Sequence, residues 1–234
     1  MLSKITLILS LLTASLLAQE PRQIEVRTLC FGYSNSVREV TLTGDPAGED
    51  TLDTKLAKHL DNHQDVLTVV GDEVRVGQKD GSGSFQSWSK TAIPKGASEV
   101  LFVLFPSGIK EKPYLIKAYN DGARGFPLAS FQISNMSEST LRLIVGDEPI
   151  ELAPGQSKNI SKFKKVKKNG QVPYYVYSKD GSEWKRLSTG LWDILPRKRN
   201  FQIAWTNPDS KNVEIRGYED SLPLVKALLK QQAE

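Results

Sequence analysis

One cysteine and two histidines in 234 residues leave little material for the commonest protein chemistries. With Cys30 alone, the chain can form neither an intramolecular disulfide nor a cysteine-rich zinc site. His59 and His63 are the only imidazoles, and none of the serines lies in a Gly-x-Ser-x-Gly elbow. Although i, i+4 spacing on a helix would set both imidazoles on one side, no third strong metal ligand stands at a telling distance. The expectation is a protein that is not an enzyme, with no catalytic residue, no metal and no cofactor. Beyond the N-terminus there is also no apolar run near the length of about 20 residues that spans a bilayer. The composition, 39% hydrophobic and 25% charged, is that of a packed globular chain rather than a disordered one.

What is present begins with an export signature. Lys4 precedes an apolar stretch, Ile5 to Leu17, interrupted only by Ser10, Thr13 and Ser15, and Ala18 stands before Gln19-Glu20-Pro21. A basic tip, an apolar segment of this length and a small residue before a polar stretch mark a secretory signal peptide. Residues 1–18 are therefore expected to be removed after Ala18. The mature chain is then secreted or periplasmic, with no transmembrane segment once the signal is gone. An uncleaved anchor is the alternative, because Leu16 is an unusual residue at the −3 position. Cys30 falls in Ile24-Glu25-Val26-Arg27-Thr28-Leu29-Cys30-Phe31, whose alternation reads as a strand with a buried thiol. An intermolecular disulfide is the alternative there.

The chain also repeats itself. Phe31-Gly32-Tyr33-Ser34-Asn35 matches Phe131-Gln132-Ile133-Ser134-Asn135, and Lys79-Asp80-Gly81-Ser82 matches Lys179-Asp180-Gly181-Ser182. Leu42-Thr43-Gly44-Asp45, Ile93-Pro94-Lys95 and Ile116-Lys117-Ala118-Tyr119 have counterparts in Ile144-Val145-Gly146-Asp147, Leu195-Pro196-Arg197 and Ile215-Arg216-Gly217-Tyr218. Five short matches in one order indicate a duplicated unit the size of a small sandwich. Within each copy, short β-branched and aromatic segments alternate with turn chemistry such as Asp-Gly and Pro154-Gly155. The predicted fold is all-β: two tandem immunoglobulin-like antiparallel β-sandwich modules from an internal duplication, about seven strands each, with a short C-terminal helix. The first module occupies 19–122 and the second 123–218, while 219–234 forms the helix and tail. The spacing of Leu52, Leu56 and Leu60 predicts a further short helix within Asp50 to His63.

Charge is divided unequally. Residues 19–122 hold 12 basic and 15 acidic side chains, whereas 123–234 hold 18 and 12, giving −3 against +6. The excess gathers in Lys162, Lys164, Lys165, Lys167 and Lys168, and again in Arg197, Lys198 and Arg199. In an exported protein such a surface suits an anionic polysaccharide or an acidic envelope protein rather than nucleic acid. Solvated lysines guarding an edge strand are the plainer account. Of the four tryptophans, Trp184 and Trp192 lie beside turns and are the candidates for stacking on sugar rings, while Trp205 falls in an apolar strand and should be buried. The candidate binding residues are thus Trp184, Trp192, Lys164, Lys165, Lys167, Lys168, Arg197, Lys198 and Arg199.

The run Phe131-Gln132-Ile133-Ser134-Asn135, a strand ending at Gly146-Asp147, and Leu152-Ala153-Pro154-Gly155-Gln156-Ser157 together resemble a motif of small exported bacterial tandem β-sandwich proteins. A more distant similarity is to the periplasmic accessory subunit of alginate acetylation. The resemblance covers about 35 residues, implies a sandwich and export, and carries over no catalytic residue. The functional expectation is a non-enzymatic binding or structural protein of the cell envelope. The alternative is a carbohydrate-binding or polysaccharide-modification accessory protein that uses the basic and aromatic surface of the second module.

Overall fold

A computed structural model describes residues 20–60 and 62–233, so the expected signal segment, 1–18, lies outside the described residues. The first half forms β1 (Arg22–Cys30), β2 (Glu39–Thr43), β3 (Leu52–Lys55), β4 (Asp65–Val69), β5 (Glu73–Lys79), β6 (Phe85–Ala92), β7 (Glu99–Pro106) and β8 (Tyr114–Asn120). The second forms β9 (Phe131–Met136), β10 (Leu141–Val145), β11 (Glu148–Leu152), β12 (Ser157–Ile160), β13 (Gln171–Asp180), β14 (Glu183–Asp193), β15 (Arg199–Thr206) and β16 (Val213–Asp220), followed by helix α1 (Leu222–Ala233). The all-β sandwich expectation holds, with eight strands in each half rather than seven.

The sheets are ordered β4-β1-β7-β8 and β3-β2-β5-β6 in the first half, and β12-β9-β15-β16 and β11-β10-β13-β14 in the second. Adding eight to every label converts the first pair into the second. Both halves also carry one bulge at the same place, after Val76 and after Val176. The extra residue on the partner strand is Trp88 in one half and Leu187 in the other, and each packs against its own core. Bulges re-aim a side chain in this way. One pairing per half departs from the expected antiparallel pattern, since β1 runs parallel to β7 and β9 parallel to β15.

Two local expectations are corrected. The described residues of the stretch 50–63 form strand β3 followed by a loop, not a helix. A spacing of four residues keeps side chains on one face of a strand as well as of a helix, so the leucines alone do not discriminate. Leu52 sits opposite Leu42 in the ladder, Leu56 enters the first core, and Leu60 rests on a different cluster. Asn35 and Asn135, matched in sequence, occupy different places. Asn35 is a loop residue with φ 50°, whereas Asn135 lies inside β9. Measured against their parallel partners Leu104 and Ala204, Cys30 is the residue equivalent to Asn135.

Each sandwich encloses its own core, with Val26, Leu42, Val76 and Phe102 in the first and Ile133, Leu143, Val176 and Trp192 in the second. A third apolar layer joins them. Leu29, Phe31, Leu101, Val103 and Phe105 of the β4-β1-β7-β8 sheet meet Phe201, Ile203 and Trp205 of the β12-β9-β15-β16 sheet. The rings interlock, with Phe31 5.1 Å from Trp205 and Tyr119 edge-on to Phe201 at 4.6 Å. This explains why β7 is apolar at consecutive positions: even-numbered residues enter the first core and odd-numbered ones face the second module.

At the margin of that layer four ionised side chains are buried together. Arg27 of β1 donates to both carboxylate oxygens of Asp121, at 2.6 and 2.9 Å, and to both of Asp220. Arg199 donates to Asp220 at 2.8 Å, to the Asp121 carboxylate at 2.6 Å, and to the carbonyls of Asp121 and Phe126 at 2.7 Å. The remaining Asp220 capacity accepts the Leu222 N–H at the start of α1. The helix docks by this first turn and by Lys226, which reaches Glu25 and Glu99 of the other module. Leu228 and Leu229, further along the helix, are 50% and 60% exposed.

Burial works against the Asp220 carboxylate, but Arg27 and Arg199 hold it below the ordinary carboxylate range. A folded value below the unfolded one means that the unfolded chain binds more protons as pH falls. The stabilisation is therefore complete above about pH 4 and lost as pH drops through the folded value. Urea denaturation across a pH series should show this loss in the native chain. Asp220→Asn leaves a buried guanidinium underpaired, so it should cost about 3–5 kcal/mol at neutral pH and flatten the acid limb.

Candidate functional site

The expected binding residues do not form one surface. Trp192 is 8% exposed and lies between Tyr174 (4.5 Å) and Phe131 (4.9 Å) in near-parallel stacks. It belongs to the second core and cannot meet a ligand. Arg199 is fully buried in the ion network, so the basic run 197–199 contributes only Arg197 and Lys198 to the surface, and Lys198 pairs with Glu219. Lys164, Lys165, Lys167 and Lys168 are exposed on the loop between β12 and β13, with Lys165 paired to Asp147. Part of this loop borders a cleft of about 370 Å³, floored by Ile150, Ile160 and Phe163 and rimmed by Lys158, Lys162 and Lys164.

Trp184 is placed as expected, half-exposed on the outer face of the β11-β10-β13-β14 sheet. The Arg142 guanidinium lies 4.1 Å from its ring centroid and is itself held by Glu151, at 2.6 and 2.8 Å. Around it the ladder registers collect side chains that sequence reasoning missed. Arg142 stands opposite Tyr177, and Ile144 opposite Tyr175. Across β13, Tyr177 faces Arg186, Tyr175 faces Thr189 and Pro173 faces Leu191. Tyr175 and Leu191 are 38% and 42% exposed. The available signal was the alternation in Val172 to Ser178: the even positions are inward, so Tyr175 and Tyr177 must be outward.

The first module supplies an internal comparison. Aligning the two bulges makes Arg75 equivalent to Tyr175, Gly77 to Tyr177, Thr43 to Ile144, Ser87 to Arg186 and Ala92 to Leu191. The same scaffold thus carries small or polar side chains at these positions in one copy and two tyrosines, an isoleucine and a leucine in the other, while Phe85 and Trp184 put an aromatic ring at the same place in both. No protein-family model matches the chain, and no curated protein matches it in sequence.

The histidines do not assemble a centre. His59 and His63 lie in the loop between β3 and β4, and His63 Nε2 is 3.1 Å from Asp65. Asp61 lies outside the described residues. Among the described residues there is no group of three or more potential metal ligands. Cys30 is buried, its thiol directed to the Gly32 carbonyl, and desolvation pushes it up to about 11.

Two measurements check these placements. Trp192→Ala should lower stability by about 3–5 kcal/mol in urea denaturation, as for a large aromatic removed from a core. Trp184→Ala should stay within about 0.5 kcal/mol of the parent. The Cys30 thiol should resist a thiol reagent in the native protein and react fully once denatured, and rapid native labelling would contradict its burial.

Proposed function

We propose that the chain is a secreted or periplasmic, non-enzymatic protein of the cell envelope that acts by binding, with the second module as its recognition half. The observation that carries this reading is the divergence of two equivalent sheet faces. Natural soluble proteins cover or dilute contiguous apolar surface unless it meets a partner. Here one copy has Thr43, Arg75, Gly77 and Ala92 where the other has Ile144, Tyr175, Tyr177 and Leu191. The first module and α1 act as a rigid support, since the buried ion network and the third apolar layer leave no flexible joint of the kind that separates loosely tethered domains. A carbohydrate partner held by the same module is the second reading. It is favoured by the half-exposed Trp184 and by the excess of basic residues in 123–234.

The test is fractionation followed by binding. The protein should be recovered outside the cytoplasm with Gln19 as its first residue, and the purified mature chain should co-sediment saturably with envelope fragments. Tyr175→Ser/Tyr177→Ser/Leu191→Ser should weaken that association by about tenfold or more, a change of about 1.4 kcal/mol. Substitutions on the equivalent face of the first module, Arg75→Ala/Ser87→Ala/Lys90→Ala, should leave it unchanged. Cytoplasmic recovery, or equal effects of the two triple variants, would remove the reading.

A further inference from the structure

Resting on that assignment of the recognition half, we infer that the outer face of the β11-β10-β13-β14 sheet binds a polyuronate, a polysaccharide carrying ring carboxylates, laid along β13. Three observations converge on this chemistry.

The first is ring geometry. Tyr175 and Tyr177 project from one face of one strand, two residues and so about 7 Å apart. Trp184 continues the row beside Lys179, its cross-strand partner, and Arg142 fixes the orientation of its indole. A pyranose presents a face of C–H bonds that packs on an aromatic ring, and a polymer repeats that face along its length. The row from Pro173 to Lys179 spans about 20 Å of strand, an extended platform rather than a pocket for one small molecule.

The second is unspent hydrogen bonding. Tyr174, on the inner side of the same strand, shares its hydroxyl with Ser188. Among the described residues, the hydroxyls of Tyr175 and Tyr177 have no partner within the chain, which leaves them for sugar hydroxyls. A large aromatic with a free polar tip suits a ligand that is apolar on its ring faces and polar at its rim.

The third is charge. Arg142 is committed to Glu151, but among the described residues neither Arg186 nor Lys179 has a carboxylate partner. Arg186 stands directly opposite Tyr177, and Lys179 opposite Trp184. At the other end of the row, the lysine loop closes on the β10–β11 turn, where the Lys164 carbonyl abuts Gly146. A polymer running along β13 therefore meets unpaired cations at one end and the lysine loop at the other. A neutral glycan would leave these charges unused, and a protein partner would have to match the two phenols and the guanidinium singly. A polyuronate supplies hydroxyls and a carboxylate on every ring.

The test uses the intact mature chain, calcium-free buffer and three polyuronates: polygalacturonate, alginate and polyglucuronate. Calorimetry should detect saturable binding to at least one, weakening as salt is raised because exposed charges are screened. The methyl-esterified form of polygalacturonate, or the carboxyl-reduced form of another bound polymer, keeps the rings but loses the charge and should bind at least about tenfold more weakly. Tyr175→Ala/Tyr177→Ala and Arg186→Gln should each reduce affinity to a comparable degree, with unfolding midpoints held near the parent value. Four results would overturn the inference: no saturable binding to any of the three, equal binding of the neutral derivative, indifference to the face variants, or sedimentation showing the face buried between two copies. Failure with these polymers while envelope association still depends on Tyr175, Tyr177 and Leu191 would dismiss the ligand class and keep the recognition half. Loss of both would dismiss the recognition half as well.

Discussion

Two arginines and two aspartates buried at the junction govern what the rest of the molecule can do. Arg27 comes from the first strand, Asp121 from the link between modules, and Arg199 and Asp220 from the ends of two paired strands near the C-terminus. Withdrawing four charges from water is costly, and mutual attraction offsets that cost only when the remaining donors and acceptors are also satisfied. They are: Arg199 reaches two backbone carbonyls in addition to its carboxylates, and Asp220 caps the terminal helix. An apolar junction of the same area would tolerate small rotations. A network whose members each need particular partners specifies one relative orientation, and the interlocked rings of Phe31, Tyr119, Phe201 and Trp205 fill the space around it.

Most strands were legible from residue patterns because turns and alternation are local signals. Burial on the second side of a sheet is not local, and the misplacements follow from that. Arg197, Lys198 and Arg199 read as one basic cluster, but the last begins β15, where alternation turns it toward the other module. Trp184 and Trp192 read alike beside their turns. Across the bulge in β14 they end on opposite faces, one over Arg142 and the other within the Tyr174–Phe131 stack. Val100 to Phe105 announced a strand covered on both sides, and in a two-module chain that was the clearest available sign that the sandwiches are fused rather than tethered.

The motif that resembles one of small exported β-sandwich proteins has a structural explanation in this fold. Asn135 donates to the carbonyls of Ser139 and Leu152 and accepts from Ser137, while its backbone bonds to Gln156 and Gly155. One buried amide thus ties the end of β9 to the Pro154-Gly155 turn, where Gly155 adopts φ 78°. Residues separated by 20 positions belong to a single knot. The motif therefore signals how the module is held together.

Counting faces shows which surfaces the two modules leave open. Four sheets present eight faces. Four of these close the two sandwich cores, and two more are spent on the apolar layer between modules. Only the outer faces of β3-β2-β5-β6 and β11-β10-β13-β14 remain, and they began as copies of the same surface. Drift alone would keep both solvated, because an exposed tyrosine or leucine contributes nothing to folding there and raises the risk of aggregation. One copy holds Thr43, Arg75, Gly77 and Ala92 where the other holds Ile144, Tyr175, Tyr177 and Leu191. The proposed recognition half rests on that asymmetry between two equivalent faces of one rigid body.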